Sequence, residues 1–178
     1  MSDRTQINLS YNPVEDRLLL RLSAPSPQGL VEYRMWITRR FTRMMWLALD
    51  QVLKDESEAN PRVEPRGREM VRRFEEEAAL SRADFSTPYE PENPVTPLGP
   101  EPMLVVKTHI KKLPDGQRVI IMQDARSRGV NLTVGPALIH SIRKLLSDTA
   151  DKAGWDLNLD LYSKAPEAGG EAHPRSVN

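Results

Sequence analysis

The stretch MLVVKTHIKKLPDGQRVIIMQDARSRGVNLTVGPALIHSIRKLLSDTADKAG, residues 103–154, decides the fold class. Leu104, Val106, Thr108 and Ile110 alternate with Val105, Lys107, His109 and Lys111, the period of a half-buried strand. Pro114-Asp115-Gly116 is the clearest turn, because Asp-Gly readily takes the positive φ angles of a type I′ hairpin. Arg118–Gln123 reads as the returning strand, Ser127-Arg128-Gly129 turns it, and Val130, Leu132 and Val134 alternate again. Pro136 then falls in the first turn of a helix, where a missing N–H does no harm. The helix stripe is Leu138, Ile139, Ile142, Leu145 and Leu146, and Gly154 is placed to stop it.

The same order of signals occurs upstream. Ile7, Leu9 and Tyr11 alternate with Asn8 and Ser10, and Asn12-Pro13 begins a turn. Leu18, Leu20 and Leu22 point one way while Arg17 and Arg21 point the other, which predicts a hairpin. Tyr33, Met35 and Ile37 alternate next, Thr38 is a suitable N-cap, and an amphipathic helix follows. The third strands and helices of the two stretches align without a gap at an offset of 97. Apolar character matches and identity does not, so the repeat is one of pattern. The expected fold class is α+β: two tandem strand-strand-strand-helix units, with antiparallel sheets packed on helices.

Between the units the texture changes. Residues 54–84 are highly charged, and Met70, Val71, Phe74, Ala78 and Leu80 predict a further helix with a thin apolar stripe. Residues 86–102 carry proline at almost every third position, which predicts an extended, semi-rigid linker. Beyond the second unit, Trp155, Leu157, Leu159 and Leu161 alternate with polar residues and predict a final strand. The expected organisation is a first unit at 1–54, a charged helical segment and linker at 55–102, a second unit with its terminal strand at 103–162, and a disordered tail at 163–178. The two units are short enough to share one compact domain.

Composition narrows the chemistry. The chain has no cysteine, which excludes disulfides and thiol nucleophiles. His109, His140 and His173 lack the spacing of a helical metal pair, and the nine glycines form no phosphate loop. No residue is predicted as catalytic or metal-ligating, and no cofactor is implied. The first residues lack the apolar stretch of a signal peptide, so a cytoplasmic protein without membrane association is expected.

Charge is the most informative feature. Lys plus Arg and Asp plus Glu both number 25, yet they are segregated. Residues 17–43 hold Arg17, Arg21, Arg34, Arg39, Arg40 and Arg43 against Glu32 alone. Residues 103–150 are again net basic, and residues 54–92 are net acidic. Arginines with an exposed ring on an open sheet are the chemistry of single-stranded nucleic-acid binding. The candidate contacts are Arg17, Arg21, Arg34, Trp36, Arg39, Arg40, Arg43, Lys107 and Lys111. A doubled three-strand-plus-helix unit with a basic sheet resembles, at the level of fold, the compact single-strand binders of the Whirly and Pur-alpha type. None of their signature motifs occurs here. The competing reading is a protein-interaction or assembly adaptor, acting as a homodimer without nucleic acid. Phe41, Met44, Met45, Trp46 and Leu47 cover more than one helix face and are its candidate interface. A non-enzymatic binding protein is expected in either case.

Overall fold

The computed structural model describes residues 5–159. Its first sheet grows from two tight turns. Asn12 Oδ1 accepts from the N–H groups of Val14 and Glu15, both at 3.0 Å, and Asp16 follows at φ 48°. These bonds reverse the chain between β1 (Gln6–Asn12) and β2 (Arg17–Ser26). Gly29 at φ 110° opens β3 (Gly29–Ile37). The antiparallel register sets Leu9, Leu20 and Met35 side by side on the inner face, and Asn8, Arg21 and Arg34 on the outer one. Thr38 Oγ1 then accepts from Phe41 N at 3.2 Å and starts α1 (Arg39–Ala59).

A short 3-10 turn at Pro65–Gly67 leads into α2 (Arg68–Arg82). Its expected apolar stripe is only partly used. Ala79 is buried, whereas Met70 and Phe74 are 77% and 72% exposed. The proline-rich stretch is not a free spacer. Val95 exchanges backbone hydrogen bonds of 2.8 Å with Leu30 and Glu32, laying the segment along the edge of β3. Such a cover protects an edge that would otherwise offer unpaired backbone groups. Further on, β4 (Met103–Leu104) pairs with β3 in parallel. The expected first strand of the second unit is thus divided between two sheets. Val105 N donates to Trp36 O at 3.1 Å and Val106 N to Gln123 O at 2.9 Å, so the chain changes sheets between neighbouring residues.

The second sheet comprises β5 (Lys107–Lys112), β6 (Arg118–Gln123) and β7 (Gly129–Val134), all antiparallel. The Pro114-Asp115-Gly116 turn differs from the type I′ expectation. Only Gly116 has positive φ, at 87°, and Leu113 N donates to Gln117 O at 2.8 Å. A three-residue loop with a left-handed glycine satisfies the same sequence. Gly129 is needed for closeness: a Cβ there would lie 1.9 Å from Met122 O. Then α3 (Pro136–Lys152) ends with Gly154 at φ 66°, whose N–H bonds to Asp151 O while Trp155 N bonds to Ala150 O. This is the paired C-terminal cap that glycine favours.

Two sheets, each followed by a helix, with a third helix between them, make the fold α+β. One core cluster draws on both units, from Leu18, Met35 and Leu49 to Ile120, Ile139 and Leu146. Helix α3 also packs against α1, α2 and β1. The expected last strand is absent from the described residues 155–159. Asp156 and Asn158 take positive φ angles of 46° and 50°, which breaks an extended path while leaving Trp155 and Leu159 buried. Leu161, His173 and the tail expected at 163–178 lie outside the described residues. No helix among the described residues is long and apolar enough to cross a membrane.

Candidate interaction surface

The outer face of the first sheet carries Arg21 and Arg34 beside each other in register. Both are held by one carboxylate. Glu32 Oε1 accepts from Arg21 Nε at 2.8 Å, and Oε2 accepts from Arg34 Nε at 2.8 Å, each guanidinium adding a second contact of 2.7 Å. The Glu32 side chain is fully buried. Burial alone would raise its carboxyl, but Arg34 and Arg21 outweigh that and hold it below the usual range. The proline-rich segment completes the site: Tyr89 Oη donates to Glu32 Oε1 at 3.2 Å, and the Arg21 guanidinium lies 4.5 Å from the centre of the Tyr89 ring. Burial, with Glu32 beside it, pushes the Tyr89 hydroxyl up to about 12, so it remains a donor. Arg34 also donates to Pro100 O at 3.3 Å. Two of the predicted phosphate contacts are therefore engaged within the chain.

The remaining candidates fall in three places. Arg17 lies 3.4 Å from Glu15, and Trp36 is half-buried between Leu19 and Leu104 in the sheet register. Lys107 and Lys111 are exposed on the outer face of the second sheet, alongside His109, Asn131 and Thr133. Neither lysine makes an ion pair with a described residue. Arg39, Arg40 and Arg43 are exposed at the start of α1.

Of the five residues expected at a dimer interface, three are consumed by the core of this same chain. Phe41, Met45 and Trp46 are buried, and Trp46 also lies under the Arg143 guanidinium at 4.5 Å. Arg143 in turn meets Asp50 at 3.0 Å, so a charged pair and a ring fill the space between α1 and α3. Met44 and Leu47 remain exposed. They line an open groove of about 720 Å³ together with Arg39, Arg40, Arg43 and Leu157. Residues from the two sequence predictions, one electrostatic and one apolar, thus share a single surface.

That surface is anchored from below. Trp155 Nε1 donates to Asp16 Oδ1 at 2.9 Å, Tyr11 Oη donates to the same atom at 3.0 Å, and the two rings meet edge to face at 5.9 Å. The Trp155 bond first, then the Tyr11 bond, with Arg39's charge adding, holds the Asp16 carboxyl below its ordinary value. This clasp fixes the segment that brings Leu157 to the groove. Helix α1 has no acidic residue in its first turn, so its positive end and three arginines combine.

Sequence reasoning missed Glu32, Tyr89 and Leu157. Glu32 was findable: it is the lone carboxylate among six arginines and shares a strand face with Arg34, two residues on. Tyr89 and Leu157 come from segments whose docking has no local signature. Among the described residues, no group of three or more His, Asp or Glu is placed to hold a metal ion. No protein-family model, curated protein or solved structure matches this chain.

Proposed function

We propose that the chain is a non-enzymatic binding protein that docks an acidic, partly apolar segment of another protein in the groove along the start of α1. The observation that carries this reading is the juxtaposition of Arg39, Arg40 and Arg43 with exposed Met44, Leu47 and half-buried Leu157. Arginine and methionine beside aliphatic surface are the composition of protein interfaces. A single strand of nucleic acid draws about 1–3 kcal/mol per base from aromatic stacking. Among the described residues, the groove carries no aromatic side chain on its walls. A second copy of this chain is also disfavoured as occupant, since a symmetric contact would set Arg39 and Arg40 against the same pair, with Asp156 the one carboxylate among the described residues lining each groove.

Single-stranded nucleic acid is the second reading. It is supported by the outer face of the second sheet, where Lys107, His109 and Lys111 stand without a carboxylate in the paired register. Titration of a labelled single-stranded oligonucleotide at low and physiological salt separates the two. The protein-partner reading expects weak binding, unaltered by Lys107→Glu with Lys111→Glu. Tight binding that falls steeply with salt and is lost in that double variant overturns it in favour of the second.

A further inference from the structure

A cavity of about 320 Å³ lies between the last turns of α1, helix α2 and the first turn of α3. It shares no lining residue with the α1 groove. Leu53, Val63, Val71 and Ala78 give it an apolar wall, while Ser57, Arg72 and His140 supply polar groups. Two of those groups are unsatisfied. His140 is 2% exposed, yet its Nδ1 has no hydrogen-bond partner among the described residues, and Ser57 Oγ is likewise buried without one. A buried polar group left unpaired is destabilising, and a ligand supplying the missing bond would recover that loss.

The charges point to one ligand class. Glu56 and Glu75 also line the cavity, but Glu56 is engaged by Arg118 at 3.1 Å and Glu75 is exposed. Arg72 makes no ion pair with a described residue, and its charge acts on His140. Burial first, then Arg143 and Arg72, lowers His140 to about 4, so near neutral pH it is an uncharged hydrogen-bonding group. Helix α3 begins at this wall with Pro136 and Ala137, and its Gly135 cap offers no side chain to its amides. The volume is at the small end of ordinary ligand pockets, which suits a short-chain ligand.

We propose that this cavity binds a small amphipathic carboxylate, its chain against Leu53, Val63 and Val71 and its head group toward Arg72, Ser57 and His140. The test is an amide NMR titration of the full chain with three probes of one length: octanoate, octanol and octylamine. Octanoate is expected to shift amides within 53–60, 71–79 and 137–140 saturably. Octanol should bind about tenfold more weakly, and octylamine should produce no saturable shift at these positions. Arg72→Gln, checked for folding by circular dichroism, should weaken octanoate about tenfold and leave octanol unchanged. Absence of saturable octanoate binding at millimolar concentration overturns the proposal. So does equal affinity for octanol, or an Arg72→Gln variant that is folded and binds octanoate normally. The wild-type comparison of the three probes decides the question even if the variant fails to fold.

Discussion

Arg39 and Arg40 stand in the first turn of α1, where the helix dipole disfavours positive charge by about 0.3–1 kcal/mol each. A sequence shaped by stability alone would place Asp or Glu there. Arg40→Glu should therefore raise the unfolding free energy by about 0.5 kcal/mol in a urea titration while weakening partner binding; a destabilised variant would mean that Arg40 has a structural role. Glu32 is the opposite case, a carboxylate on which two guanidiniums depend. Because its folded pKa is lowered, its contribution is present above the unfolded value of about 4.3 and lost as pH falls through the folded one. Glu32→Gln should cost about 2 kcal/mol at neutral pH, discounted because both arginines are partly exposed, and should flatten that acid limb. His140 acts with the same sign but from a higher pH, losing stability as pH falls. Its folded value of about 4 lies below the unfolded 6.5, so stability falls between those values by roughly 3 kcal/mol and then levels off. Replacing His140 by Leu should remove that slope, and a slope that persists would place its origin elsewhere.

At the scale of elements, periodicity read from the sequence located three strands and a helix in each unit, because burial on one face writes itself into the chain at period 2 or 3.6. Thr38 was legible as a cap, and Thr38→Ala should cost about 1 kcal/mol, measured by chemical denaturation. What local reading could not supply was long-range pairing. Met103 and Leu104 alternate as a strand does, but nothing local says that they pair with β3 before the chain moves to a second sheet. Trp155, Leu157 and Leu159 look like a strand for the same reason, and left-handed Asp156 and Asn158 produce a similar burial by another path. In α2 the apolar positions were visible but their direction was not, since Met70 and Phe74 face outward. Phe74→Ser should change stability by less than about 0.5 kcal/mol. A larger loss would indicate that this face is covered in solution.

For the whole molecule, the consequential feature is that the helices and sheets of the two units contribute to one core. Trp46 from the first unit and Trp155 after the second are both buried, and Trp155 donates to Asp16 of the first. Urea unfolding followed by tryptophan fluorescence and by far-ultraviolet circular dichroism should give coincident transitions, and separated midpoints would indicate independent units. The charge map was legible as a total per segment, but its function depends on three-dimensional pairing. Glu32 and Tyr89 engage the arginines of the sheet, whereas Arg39, Arg40 and Arg43 gather beside Met44 and Leu47. The most direct test is affinity capture on the full chain after nuclease treatment, comparing Arg40→Glu with Met44→Asp against Lys107→Glu with Lys111→Glu, all verified as folded. The account predicts that captured protein survives nuclease, is lost with the first pair and is retained with the second. Capture that nuclease abolishes, or that the first pair leaves intact, would contradict it.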